Sequence, residues 1–129
     1  MLVQVKSFGL NRMDLSQRVG KYPVPPQAGP ILGVEFSGIV SKASSGASAQ
    51  FAEGDEVLGL TYGGAYAEYV AVQAGTLMHK PATMSWEEAA AIPEVRDGSP
   101  MSTMREVIDQ LQRSGVDDGH SSHVSGWRI

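Results

Sequence analysis

Residues 31–43 read ILGVEFSGIVSKA, a stretch dense in β-branched and aromatic side chains and followed by a run of small polar ones. Branched and ring side chains lose rotamer freedom in a helix and pack well on a pleated surface, so the segment reads as a strand. SSGASAQFAEGD (44–55) then supplies a turn, and DEVLGL (55–60) a second short strand. The order strand, polar turn, strand sets the rhythm for residues 31–94: many short β segments separated by glycine-rich turns, as in an all-β barrel or sandwich.

The same rhythm extends downstream. In TYGGAYAEYVAVQ (61–73), Gly63-Gly64 makes a turn, and Tyr66, Glu68, Val70 and Val72 alternate with Ala65, Ala67, Tyr69 and Ala71, which predicts a strand after the turn. LMHKP places His79 at the end of a further strand, where an exposed or half-buried ring is expected, and no neighbouring acid or nucleophile suggests a triad. MSWEEAAAI (84–92) switches to helical character, with Ser85 as N-cap and Glu87 and Glu88 in the first turn, favoured by the helix dipole. Upstream, MLVQVKSFGL alternates from Leu2 onward and reads as a strand. A strand beginning there implies a pairing partner further upstream, and without that hairpin residues 2–8 are expected to form an unpaired barrel edge.

Between the first strand and residue 31 lies LNRMDLSQRVGKYP (10–23). Asn11 fits a helix N-cap opening a short turn from Arg12 to Arg18, with Asp14 and Arg18 four apart and placed for a surface ion pair. Glu53 and Asp55 are expected to stay solvated in the turn before a strand. On pattern alone, Tyr22 is a turn residue with its ring against Pro23.

Composition bounds the function classes. The 129 residues suffice for one domain with a core, and 42% hydrophobic with 19% charged residues is ordinary for a soluble globular chain. A net charge of −4 and a pI near 5.2, without any basic run, argue against a phosphate-binding surface and hence against nucleic acid as a partner. There is no cysteine, which excludes disulfides, thiolate nucleophiles and sulfur-ligated metals. No apolar run reaches the roughly 20 residues of a membrane span, and the first residues do not form a signal-peptide core. No membrane partner and a cytoplasmic location are the resulting expectations.

LNRMDLSQRVGKY, ILGVEFSGIV, AEGDEVLGL, GGAYAEYVAV and SWEEAAAIPE occur in an order and spacing that resemble the N-terminal, GroES-like domain of medium-chain dehydrogenases/reductases, and most closely its zinc-free quinone oxidoreductase branch. The resemblance covers residues 1–94. It implies a mainly β, GroES-like partial β-barrel with short helices, facing a Rossmann domain across a cleft where NADPH gives hydride to a quinone or an activated alkene (enone). In zinc-dependent relatives a cysteine ligand matches Asn11, and the histidine of a Gly-His-Glu motif matches Val34 in Gly33-Val34-Glu35. Neither Asn nor Val supplies the N/S donor of a tetrahedral zinc site, so no metal is expected. By the same resemblance Asn11 and Tyr22 lie at the nicotinamide end of the cleft as the candidate catalytic and cofactor-binding residues. Tyr22 is the better candidate for the donor that stabilises charge developing on oxygen. Glu35 matches a glutamate kept near the metal in zinc relatives, and without metal is expected to be a buried, hydrogen-bonded structural acid.

The last third departs from that pattern. Residues 95–129 hold no phosphate-cradling glycine turn and are too few for a βαβαβ unit, so the Rossmann domain is expected to be missing. Residues 1–94 contain thirteen Ala and four Lys, whereas residues 95–129 contain neither and carry six Ser, which suggests a different coding origin, such as a frame change, retained intron or mis-joined gene. Within this tail Thr103 to Glu106 fits a capping box, and Met104, Val107, Ile108 and Leu111 share one face, which predicts a short helix over 104–114. His120 and His123 sit three apart in a polar stretch where nothing fixes them as ligands.

Two function classes therefore stand: part of an NADPH-dependent quinone oxidoreductase, inactive alone, or a non-catalytic GroES-like interaction module that pairs with a homologous subunit.

Overall fold

The structure is a computed structural model, and it describes residues 1–43 and 50–93. Five strands form one antiparallel sheet: β1 (Leu2–Phe8), β2 (Glu35–Lys42), β3 (Glu56–Leu60), β4 (Tyr69–Ala71) and β5 (Leu77–His79), in the order β4-β1-β2-β3-β5. Two short helices, α1 (Arg12–Arg18) and α2 (Trp86–Ala90), complete the described part. The fold is mainly β, as the strand rhythm predicts.

The two edge strands are neighbours in sequence. β4 and β5 are joined by residues 72–76, which include a single 3₁₀ turn at Ala74–Thr76. Five flat strands would put their edges about 19 Å apart, four spacings of about 4.8 Å. A linker partly wound into 3₁₀ spans less than its extended length, so the sheet curls to bring its edges together. Val3, Val40, Phe36, Val57, Val70 and Leu77 come from all five strands and pack in one cluster inside the curl, with Phe51 and Ala65. Leu58 and Met78 point the other way and meet Ala89 of α2, flanked by Met84 and Ile92. Adjacent pairs Val57/Leu58 and Leu77/Met78 thus serve opposite faces, the period-2 alternation of a strand buried on both sides.

Three sequence expectations are corrected. β1 is not an unpaired edge: it lies inside the sheet, pairing with β2 along its length and with β4 through Leu2, Val3 and Gln4. The main-chain groups of this strand are taken up by later segments, including a Val5 N–H bond to the Glu68 carbonyl at 2.9 Å. The strand read across residues 65–72 contracts to Tyr69–Ala71, because Gly63, Gly64, Ala65 and Tyr66 fold back on residues 31–33; the Gly64 and Tyr66 N–H groups bond to the Ile31 and Leu32 carbonyls at 2.8 and 3.0 Å. Asp14 and Arg18 form no ion pair, since Asp14 is buried at 5% exposure and its carboxylate turns toward the sheet.

The helix read at 84–92 is present as Trp86–Ala90 with Ser85 as N-cap: Ser85 Oγ accepts from the Glu88 N–H and Glu88 Oε2 accepts from the Ser85 N–H at 2.9 Å. The Ser37 hydroxyl donates to the Trp86 carbonyl at 2.6 Å, tying α2 to β2. The 95–129 tail, its 104–114 helix and residues 44–49 of the first turn lie outside the described residues.

Candidate functional site

At the end of β1, where the chain leaves the sheet, Gly9 passes directly beneath Glu35, the first residue of β2. The Gly9 N–H bonds to the Glu35 carbonyl at 3.3 Å, and a Cβ built on Gly9 would collide with the Glu35 carboxylate. Glycine is therefore required by close approach. Two residues later Asn11 stands at the N-cap position of α1 with extended backbone and no side-chain capping bond. The Asn11 N–H donates to Asp14 Oδ2 at 2.8 Å, the carboxylate arm of a capping box. The Asp14 N–H bonds to the Asn11 backbone carbonyl at 3.0 Å. The Asn11 side chain instead crosses to the sheet, where its Nδ2–H donates to Glu35 Oε1 at 2.8 Å.

Tyr66 closes the cluster from a third segment. Its hydroxyl donates to Asp14 Oδ2 at 2.7 Å, and its ring stacks obliquely on Phe8 at 4.7 Å. On the other side the ring presses on Gly33, whose φ of +93° and lack of Cβ admit it; a Cβ there would lie 2.7 Å from Tyr66 Cε1. Burial, then the Asp14 carboxylate receiving its proton, holds the Tyr66 phenol well above the ordinary tyrosine range. Asp14 and Glu35, at 5% and 3% exposure, are thus two buried acids joined through Asn11: one takes its backbone N–H, the other its carboxamide. Asp14 Oδ1 is buried without a hydrogen-bond partner.

Asn11 and Glu35 are brought together as a bonded pair, and Glu35 is the buried, hydrogen-bonded acid that the sequence suggested. Tyr22 stands half-buried in the proline-rich segment between α1 and β2, and no hydrogen bond connects it to Asn11 or to any other described residue. Val34 is a core residue at 7% exposure. Sequence reading missed Tyr66 and the inward turn of Asp14. The available signal was Gly33, since a glycine at the entrance to a buried strand marks a place where another group approaches the backbone closely.

Outside the cluster, His79 lies on the Phe51 ring at 4.7 Å with Asp55 at 4.0 Å, and its side chain is 60% exposed. Lys80 pairs with Glu56 at 2.9 Å and sits 4.8 Å above the Trp86 ring. Among the described residues no group of three or more His, Asp or Glu gathers at metal-binding spacing, and no helix is long and apolar enough to cross a membrane.

A curled antiparallel sheet whose first strand leads through Gly9 into a capped helical turn, with Asn11 locked onto the Gly-x-Glu segment, defines a GroES-like domain of medium-chain dehydrogenase/reductase type. Residues 1–82 match the family described as alcohol dehydrogenase GroES-like domain, and the chain belongs to it. Among similar curated proteins, a trans-enoyl reductase of Emericella nidulans is 38% identical over 101 residues, 71% of this chain and 29% of its own length. A 2-methylene-furan-3-one reductase of Solanum lycopersicum is 29% identical, with coverage of 98% of this chain and 33% of the relative. The crystal structure of Escherichia coli quinone oxidoreductase complexed with NADPH superposes with a TM-score of 0.63 at 39% identity, over 70% of this chain and 27% of that one. The chain thus spans a third or less of the length of the curated relatives it matches.

Proposed function

We propose that this chain supplies the GroES-like half of an NADPH-dependent oxidoreductase that transfers hydride to a quinone or an enone. The observation that carries this reading is the likeness, in both sequence and fold, to a quinone oxidoreductase solved with NADPH. The enoyl reductase and the furanone reductase point the same way, since each name describes reduction of an activated alkene.

NADPH, when bound, supplies the hydride. The residues of this chain orient the acceptor and stabilise the charge that hydride addition leaves on oxygen. Tyr66 has its proton committed to Asp14, whereas the Tyr22 hydroxyl makes no hydrogen bond among the described residues. Tyr22 is therefore the donor available to an oxyanion, and Asn11 the amide that contacts the nicotinamide or the acceptor. The donor set does not suit zinc: Asn11 offers a neutral amide already bonded to Glu35, and Val34 offers nothing. No step is routed through a metal.

Nothing among the described residues suits the pyrophosphate. The described helices have seven and five residues, and no glycine-rich phosphate turn leads into either. The pyrophosphate is held by protein outside these residues, in a longer chain or a second subunit. Remote cofactor contacts hold the nicotinamide in reacting geometry, so the 129 residues alone are expected to be inactive.

One observation bears on the pairing alternative. α1 buries Asp14 and exposes Leu15 at 65%, with Leu10 at 72% and Val19 at 61%, so its apolar side chains are offered outward. Such exposure suits contact with a nucleotide-binding domain or a homologous subunit. The discriminating experiment follows NADPH consumption with a simple quinone, by the chain alone and by its described domain joined to the nucleotide-binding domain of the Escherichia coli quinone oxidoreductase. The expected result is background consumption by the chain and quinone-dependent consumption by the fusion. A folded fusion that binds NADPH yet consumes none with quinone overturns the oxidoreductase reading and leaves the interaction module.

A further inference from the structure

We propose that Glu35 is a positioning residue: it fixes which way the Asn11 carboxamide points, and Gly9 is the opening that lets it do so. The proposal rests on the reading of Asn11 as a cofactor- or acceptor-contacting residue.

The two ends of a carboxamide are nearly equal in shape and opposite in hydrogen-bonding character. Sterics alone therefore cannot choose between the two orientations; the choice is made by partners of fixed polarity. An ionised carboxylate oxygen accepts and does not donate. Glu35 Oε1, 2.8 Å from Asn11 Nδ2, takes the accepting role, and in that role it selects the amino end. A group that must present one particular face to a ligand needs such a partner.

The rest of the cluster holds the backbone that carries this side chain. The Asn11 N–H is fixed by Asp14 Oδ2, which the Tyr66 hydroxyl anchors from the opposite side. Backbone and side chain of one residue are held by two different buried carboxylates. Burying an acid is costly unless it is well bonded, and one of the bonds Glu35 makes comes from the side-chain amide at α1's entrance. Gly9 completes the device, because a Cβ there would sit 2.6 Å from Glu35 Cγ and push the carboxylate off Asn11.

Asn11 is the sole asparagine in the 129 residues, which makes the test direct. The full chain labelled with heavy nitrogen on asparagine alone gives a single side-chain NH₂ signal pair. In the unaltered chain this pair is expected to be widely split and slow to exchange with water. Glu35→Leu keeps bulk but removes the acceptor, and exchange is expected to accelerate about tenfold or more, with the shifts moving to those of a free amide. Glu35→Gln retains a carbonyl acceptor and is expected to restore most of the protection. Gly9→Ala, which leaves Glu35 present and displaces it, is expected to behave like Glu35→Leu and serves if that variant does not fold.

An unaltered chain whose Asn11 amide already exchanges like a free one, or a folded Glu35→Leu or Gly9→Ala chain whose amide stays protected, overturns the proposal. The role of Asn11 is read separately, from the quinone-dependent rate of the fusion with Asn11→Ala. An unchanged rate there, beside a Glu35-dependent amide signal, refutes the functional reading while the positioning of the side chain stands.

Discussion

Removing one oxygen atom from Tyr66 tests the polar cluster most sharply. In Tyr66→Phe the ring keeps its place between Phe8 and Gly33, and only the 2.7 Å bond to Asp14 is lost. Asp14 is 5% exposed, and its Oδ1 already lacks a partner, so after the change this buried carboxylate retains the Asn11 N–H as its one hydrogen bond among the described groups. A hydrogen bond to a charged acceptor contributes about 1.5–3 kcal/mol net, so at neutral pH the loss is expected to be about 2 kcal/mol. The pH dependence adds an independent check. The folded-state pKa of Tyr66 is raised, so the protonated phenol is favoured by folding; its contribution is complete below the unfolded tyrosine value of about 10 and is lost as pH rises above that. In this window the folded state binds one more proton than the unfolded state, and unfolding free energy falls by up to about 1.4 kcal/mol per pH unit on account of Tyr66. Urea unfolding at pH 7 and at several points above pH 10, followed by circular dichroism, measures both. Tyr66→Phe should be less stable at pH 7 and show the shallower alkaline decline. A variant within about 0.5 kcal/mol of the parent at pH 7, with the same alkaline slope, would refute the reasoning, since that is the range of a surface substitution.

Three further outcomes follow from the geometry. Gly33→Ala combines a left-handed backbone with a methyl driven into the Tyr66 ring, and should cost roughly 2–5 kcal/mol in the same urea assay. Ser85→Ala removes the hydroxyl half of the α2 capping box; about 1 kcal/mol is expected, seen as faster hydrogen exchange at Ala89, whose N–H bonds to the Ser85 carbonyl at 3.1 Å. Lys80→Met loses a bond to Glu56, which is itself 48% exposed, and the contact over Trp86, so thermal unfolding should report a loss of only about 1 kcal/mol.

The strand rhythm was legible because period-2 alternation and glycine turns are local signals: β2 and β3 fall within ILGVEFSGIVSKA and DEVLGL, and α2 begins at its Ser85 cap. Pairing was not legible. Nothing in MLVQVKSF says that its free edge is filled by Tyr69–Ala71, far along the chain, so β1 reads as an open edge although it is an inner strand. Nor was the inversion of α1 legible. The four-residue spacing to Arg18 reads Asp14 as a surface residue, yet the Tyr66 hydroxyl and the Asn11 N–H give the acid a bonded site inside while Leu15 faces out. Of the candidate site, Asn11 and Glu35 were visible through a motif and Tyr66 was not, because its partner Asp14 lies 52 residues away in sequence. A contact at that separation has no signature in a single chain.

The central claim, that this domain forms the acceptor side of a hydride-transfer site, is tested most directly by the turnover number of the fusion with NADPH and a simple quinone, with and without Tyr22→Phe. Loss of a donor to a developing oxyanion should lower the turnover number by about 100-fold, with the KM for NADPH little changed. Equal turnover numbers in the two proteins would contradict the account and remove Tyr22 from the reaction.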